Sequence, residues 1–78
     1  MAVSYDVCAD QIAADIDQWI IGRNAERNRA ILKRRLIDGI TFEALAAEFD
    51  LSVPQTKTIV YRTSARLFRH VNYPLDKG

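Results

Sequence analysis

The chain has 78 residues, of which 49% are hydrophobic and 27% are charged, and this balance predicts one small folded domain over residues 1–78. Its formal net charge is only +1, but the charge alternates in blocks of −4 over residues 1–22, +5 over 23–35, −4 over 36–52 and +4 over 53–78. No apolar run approaches the ~20 residues that span a bilayer, and no lysine or arginine precedes Arg23 as a secretory signal requires, so we expect a cytoplasmic protein without a membrane partner.

The first predicted helix covers about residues 9–21 and is acidic. Its apolar residues recur at helical spacing and form one stripe, which consists of Ile12, Ile16, Trp19 and Ile20. Gly22 follows at the position of a C-terminal cap. Such a stripe is typical of a core face, so we expect Trp19 to anchor this helix on the rest of the fold.

The second predicted helix runs from about Ala25 to Asp38, with Leu32 and Leu36 on its buried side and Gly39 at its end. Its cations allow two interpretations. One side carries cations that could hold phosphates, namely Arg23, Arg27 and Arg34. Alternatively, the arginines form ion pairs, with Arg27, Arg29 and Arg35 as cations and Asp15, Asp17, Asp38 or Glu26 as partners.

A short third helix and a longer fourth helix follow. Thr41 is a good N-cap for the third helix, which is predicted over 42–49. Ser52 and Gln55 form a capping box, and Pro54 lies in the first turn, where no helical hydrogen bond is lost. The fourth helix is predicted from Val53 to about Val71, and residues 72–78 are expected to fray. No strand pattern occurs, so the predicted fold class is all-α, a small four-helix domain.

The last two helices have the outline of a helix-turn-helix over about residues 41–71. Leu45 and Phe49 share one face of the third helix, Leu51 can fill the corner after the turn, and Ala46 permits a close helix crossing. At 100° per residue the fourth helix has an inner face of Thr56, Ile59, Val60, Thr63 and Leu67. Its outer face carries no acid and consists of Pro54, Gln55, Lys57, Thr58, Tyr61, Arg62, Ala65, Arg66 and Arg69.

The stretch from Gly39 to Ser52, followed by Lys57 to Arg62, resembles the region-4 helix-turn-helix of bacterial sigma factors. It is similar in particular to short sigma-like regulators of phages and mobile elements of Gram-positive bacteria. The resemblance covers about residues 38–70. Two positions depart from the pattern, because Asp50 occupies a turn position commonly held by Gly and Thr56 an inner position commonly held by Val. Asp tolerates the left-handed conformation better than most residues.

The resemblance implies that the start of the fourth helix enters the DNA major groove. Candidates for contact with base edges are then Pro54, Gln55, Lys57, Thr58 and Tyr61, with Gln55 able to pair bidentately with adenine and Lys57 to donate to guanine. Candidates for phosphate contact are Ser52, Arg62, Arg66 and Arg69.

The same side chains also have structural interpretations. Ser52 and Gln55 serve as a helix cap with or without DNA. Tyr61 can belong to the protein surface or to an interface. Arg66 and Arg69 can solvate the helix or pair with the acidic first helix.

Metal, disulfide and enzyme chemistry have little support in this chain. One cysteine, Cys8, cannot form an internal disulfide, and with the one histidine, His70, it supplies too few ligands for a zinc site within the chain. We expect Cys8 to be an inert thiol and His70 a surface residue. No paired catalytic side chains occur, so the prediction is a protein that is not an enzyme and uses no cofactor or metal.

The predicted function is therefore a sequence-specific, double-stranded-DNA-binding transcriptional regulator of phage or mobile-element origin. One small module buries limited surface on DNA, so specificity implies a homodimer or a tether to RNA polymerase. Phe68 and Val71, together with the first helix, are candidates for a dimer contact. The alternative is a protein-binding module, such as a phage-encoded inhibitor of a host nuclease, polymerase or CRISPR effector, which the acidic first helix and near-neutral charge favour.

Overall fold

A computed structural model describes residues 9–71, which fold into four helices without a strand in that range. The helices are α1 (Ala9–Trp19), α2 (Ala25–Leu36), α3 (Phe42–Glu48) and α4 (Val53–Phe68). The all-α prediction is confirmed, and the predicted helix starts agree with the observed ones. The observed helices end one to three residues before the predicted ends, where helical hydrogen bonding gives way to turns. Cys8 and the predicted frayed tail, residues 72–78, lie outside the described residues.

The starts of α3 and α4 follow from side-chain caps. The Thr41 hydroxyl accepts a hydrogen bond from the Ala44 N–H at 3.2 Å and begins α3. Ser52 and Gln55 complete the predicted capping box at the start of α4, with the Gln55 N–H donating to Ser52 Oγ at 3.2 Å. At the start of α2, Asn24 is left-handed (φ 59°) and its side chain makes no capping bond.

A left-handed residue closes the turn between α3 and α4. Asp50 has φ 56°, and the Leu51 N–H donates across it to the Ala46 carbonyl at 2.8 Å. This six-residue closure is the Schellman motif, whose left-handed position usually holds Gly. The expectation that Asp50 can replace that Gly is confirmed, and the turn sets the direction in which α4 leaves α3.

The core is assembled from all four helices around α2. Its buried hydrophobic residues are Ile12, Ile16, Ile20, Ile31, Leu32, Leu45, Val60 and Leu67. The α1 stripe is confirmed as a core face, with Trp19 half-buried at its edge. Ile31 is fully buried although the pattern of α2 did not single it out, whereas Leu36 is only half-buried. Because α4 contacts α1, α2 and α3, its orientation is fixed by the whole core.

Hydroxyl groups on the inner face of α4 are buried without loss of hydrogen bonds. Thr56 is fully buried, and its hydroxyl donates to the Ser52 carbonyl at 2.9 Å. Thr63 donates to the Ile59 carbonyl at 2.7 Å in the same way. Thr56, which replaces the usual Val of the sigma-like pattern, therefore packs against the core with its hydroxyl hydrogen-bonded.

Within residues 9–71, no helix is long and apolar enough to cross a membrane.

Candidate nucleic-acid interface

The outer face of α4 is fully available at the surface. Every predicted site residue is exposed, namely Ser52, Pro54, Gln55, Lys57, Thr58, Tyr61, Arg62, Arg66 and Arg69. On the opposite side Thr56, Val60, Thr63 and Leu67 are buried. The division of α4 into an inner and an outer face agrees with the helical period, except that Ile59 is only half-buried and Ser64, which was not assigned to the inner face, is buried. The outer face presents cations and hydroxyls without a carboxylate of its own helix.

The capping box limits what Gln55 can offer a base. Its Oε1 accepts hydrogen bonds from the Ser52 N–H and from the Ser52 hydroxyl, both at 3.0 Å. A bidentate contact with adenine needs a free amide oxygen beside the amide nitrogen. Gln55 can therefore donate through Nε2 with the cap intact, whereas the predicted bidentate pairing requires the cap to open. The Ser52 hydroxyl is occupied by the same cap.

An aromatic and cationic cluster lies along one edge of α4. The Tyr61 ring meets the Phe42 ring edge to face, with centroids 5.9 Å apart. The Arg35 guanidinium lies 4.4 Å from the centroid of Phe42, and the Lys57 ammonium lies 5.7 Å from it. Tyr61 is nevertheless 60% exposed, so most of its surface remains accessible beside these contacts. Lys57 and Tyr61 are thus held beside the start of α3, a contact through Phe42 that sequence reasoning did not identify.

A cleft of about 400 Å³ lies along the opposite edge of α4. We call it the arginine groove, because Arg62 and Arg66 of α4 face Arg23 and Arg27, which belong to the turn after α1 and to α2. No carboxylate of residues 9–71 lines it; the other polar side chains there are Asn24, Asn28, Thr58 and Thr63. It adjoins a second cleft of about 380 Å³ that reaches Pro54 and Gln55.

Neutral acceptors hold two of the groove arginines in place. Arg27 donates through Nε and Nη2 to Asn28 Oδ1 at 3.3 and 3.2 Å. Arg66 donates through Nη1 to the Ile21 carbonyl at 3.3 Å. An amide or carbonyl oxygen orients a guanidinium without cancelling its charge. The contact of Arg66 is with the backbone that follows the acidic first helix, not with an acidic side chain.

Two other cations of α2, Lys33 and Arg34, are neutralised by carboxylates. Lys33 pairs with Asp17 at 2.8 Å. Arg34 donates to both oxygens of Glu48 and to Asp38, all at 3.0 Å. These hydrogen bonds, the one to Glu48 first, raise the pKa of the exposed Arg34 guanidinium.

The three arginines predicted to bind phosphates, Arg23, Arg27 and Arg34, therefore have two different environments. Arg23 and Arg27 line the groove, whereas Arg34 lies in the carboxylate cluster. The alternative prediction named Asp17 and Asp38 as ion-pair partners, but their cations are Lys33 and Arg34. Arg29 and Arg35 instead donate to the backbone carbonyls of residues 20 and 40, at 2.6 and 2.9 Å.

The end of α4 is attached to α1 by a ring stack that the sequence pattern did not reveal. His70 is exposed, as predicted, but its ring is stacked on Trp19 with centroids 4.0 Å apart and planes 4° apart. The stack and the hydrogen bond of Arg66 to the Ile21 carbonyl lie at the same junction of α1 and α4.

Comparison with protein-family models, curated proteins and solved structures finds no match for this chain. In the part of the chain that the structure describes, no group of three His, Cys, Asp or Glu side chains could hold a metal ion. What the surface does offer is a row of donors on α4 between an aromatic edge and a cationic groove.

Proposed function

We propose that this chain is a sequence-specific, double-stranded-DNA-binding regulator of transcription that acts in the cytoplasm, and that α3 and α4 are its helix-turn-helix. The observation that carries the proposal is the outer face of α4, which is exposed along its length, has no acid and is bordered by the arginine groove. Lys33 and Arg34 of α2 are paired with carboxylates, whereas no carboxylate of residues 9–71 lines the arginine groove, so positive charge stays uncompensated where a recognition helix would meet DNA.

Each side chain then has a role set by its position on α4. Lys57, Thr58 and the Nε2 of Gln55 face base edges from the first turns of the helix, with Pro54 and Tyr61 packing beside them. The phosphate contacts lie further along the helix and come from Arg62, Arg66 and Arg69, while Ser52 keeps the N-terminal N–H groups oriented through the cap. Affinity arises mainly from counterion release, which makes it strongly salt-dependent.

Specific binding by so small a module implies a second contact surface, either a homodimer or RNA polymerase. The residues earlier assigned to a dimer contact, Phe68 and Val71, are partly buried and pack against the core of their own chain. A homodimer would therefore rely on the exposed remainder of α1 and α4. The resemblance to sigma-like regulators favours a phage or mobile-element origin.

The test is selection from random double-stranded DNA at about 50 and 200 mM salt. The wild type is compared with Lys57→Ala/Arg62→Ala and with a control, Lys33→Ala/Arg34→Ala, which removes the same charge from ion-paired positions. We expect the wild type and the control to enrich one sequence. The outer-face variant should lose about 10-fold or more in affinity, since a base contact is worth roughly 1–3 kcal/mol.

Failure to enrich any sequence, or equal loss in both variants, would contradict direct DNA recognition. The alternative function is then a protein-binding module, for which exposed Asp17 and the 60% exposed Ile21 mark the acidic and apolar surface of α1 and its following turn. Under that alternative, the charge of the outer face of α4 is irrelevant to affinity, so the same pair of variants separates the two functions.

A further inference from the structure

The arginine groove contains residues that lie outside the proposed helix-turn-helix. One wall is formed by Arg62 and Arg66 of α4, and the other by Arg23 and Arg27 before and within α2. Along the chain, 34 residues lie between Arg27 and Arg62. Only the packing of α2 across α4 brings the two walls together. The groove is therefore a product of the whole fold and not of one helix.

The charge of the groove favours a phosphate-bearing ligand. Four guanidinium groups converge on one cleft, and no carboxylate from residues 9–71 lines it. Four like charges side by side repel one another. This repulsion destabilises the folded protein without ligand, and the binding of an anion reduces it. The planar fork of arginine matches the oxygens of a phosphate bidentately, which lysine does not.

The groove arginines keep donors for such a ligand. Arg27 uses two of its five N–H groups on Asn28, and Arg66 uses one on the Ile21 carbonyl, so three and four N–H groups remain. Because both acceptors are neutral, the guanidinium groups are oriented before the ligand arrives and retain their full charge. This reduces the side-chain entropy lost on binding.

We propose that the arginine groove holds the phosphodiester backbone of one DNA strand, which makes the turn after α1 and the start of α2 part of the DNA-binding surface. The proposal rests on the function proposed above. It assigns one strand to the edge of α4 that carries Arg62 and Arg66, opposite the edge with Lys57 and Tyr61. A helix inserted in the major groove has a phosphate backbone on each side, so a clamp at one edge fixes its register.

The decisive variant is Arg23→Gln/Arg27→Gln, which leaves every residue of α4 unchanged. Its control is Lys33→Gln/Arg34→Gln, which removes the same charge from ion-paired positions on the same helix. Binding to the enriched duplex is measured as a function of salt. We expect the slope of log affinity against log salt to decrease in magnitude by about 2 in the groove variant, at roughly 0.9 per phosphate, and to stay near wild type in the control.

Sequence preference and a conservative replacement complete the test. The enriched sequence should stay the same in the groove variant, because phosphate contacts carry no base information. Arg23→Lys/Arg27→Lys keeps the charge and should restore most of the salt slope. Phosphate ethylation should interfere with wild-type binding at positions on the strand held by the groove, and this interference should weaken in the Gln variant, in which Arg62 and Arg66 remain. Circular dichroism confirms that each variant is folded.

The outcomes separate the two proposals. If the wild type binds a specific duplex but the Gln variant shows the wild-type slope and ethylation pattern, the groove assignment is overturned and DNA recognition by α4 stands. If the wild type binds no duplex, both are overturned. If the groove variant and the charge-matched control lose equal slope, the effect is general electrostatics and the groove has no particular role.

Discussion

At the scale of single residues, two residues other than glycine within residues 9–71 have a left-handed backbone, and both border the proposed site. Asp50 and Asn24 have left-handed φ angles of 56° and 59°. Asp50 ends α3 and directs α4, whereas Asn24 begins α2 beside the arginine groove. An L-residue in this conformation costs about 1–2 kcal/mol relative to its preferred region. The side chain of Asp50 also places a negative charge near the carboxyl end of α3, where the helix dipole disfavours it.

Asp50→Gly is expected to stabilise the protein by about 0.5–1 kcal/mol, because Gly adopts the left-handed conformation without a steric cost, partly offset by its greater freedom in the unfolded chain. Urea unfolding measures the change. Asp50→Asn removes the charge and keeps the shape, so it isolates the dipole contribution, and Asp50→Ala should be less stable than Asp50→Gly. Equal stability of the Ala and Gly variants would contradict a strained turn.

At the scale of helices, the sequence predicts the starts of α3 and α4 because capping side chains mark them. Thr41, Ser52 and Gln55 cap the helices that they were expected to cap. The outer face of α4 is predictable for a similar reason, since a helical period sorts its residues without knowledge of the neighbours. Local sequence patterns do not predict which residues of other helices a helix face will contact. The edge contact of Tyr61 with Phe42 joins α4 to α3, and the stack of His70 on Trp19 joins the turn after α4 to α1. No spacing rule reports either contact.

His70→Ala is expected to destabilise the protein by about 0.5–1.5 kcal/mol, because it removes the parallel stack that fastens the end of α4 to α1. Trp19 is the only tryptophan of the chain, so its fluorescence reports this junction directly. We expect a red-shifted emission as the indole gains contact with water. His70→Phe preserves the stack and should retain emission and stability. An unchanged spectrum in the Ala variant would show that the stack does not shield the indole.

At the scale of the whole molecule, charge and core are organised around α2. This helix carries the groove cation Arg27, the neutralised Lys33 and Arg34, and two adjacent core residues, Ile31 and Leu32. Two neighbouring residues point about 100° apart on a helix, so the burial of both requires a broad contact surface. α2 meets this condition because it contacts α1, α3 and α4. The sequence pattern indicated Leu32 but not Ile31, since one amphipathic face was assumed.

The arginine groove could not be predicted from the sequence either, because it also depends on how α2 packs against the other helices. Arg23 and Arg27 were candidates for phosphate binding, but so was Arg34, and the helical wheel placed all three on one side of α2. The carboxylates that remove Arg34 from the set come from Asp38 and from Glu48 on α3. Which cations stay uncompensated is decided by tertiary packing, and a charge count along the chain does not contain that information.

The central position of α2 leads to a prediction for unfolding. Because Ile31 is fully buried where the helices meet, Ile31→Ala should cost about 2–5 kcal/mol and Ile31→Val about 0.5–1.5 kcal/mol. If all four helices share one core, Trp19 fluorescence, which reports α1, and far-ultraviolet circular dichroism, which reports all helices, should give the same urea midpoint in the wild type and in both variants. A lower midpoint for Trp19 alone would mean that α1 detaches before the rest. In that case the stack with His70 and the contact of Arg66 with the Ile21 carbonyl would be lost first, and the groove would open while α3 and α4 remained folded.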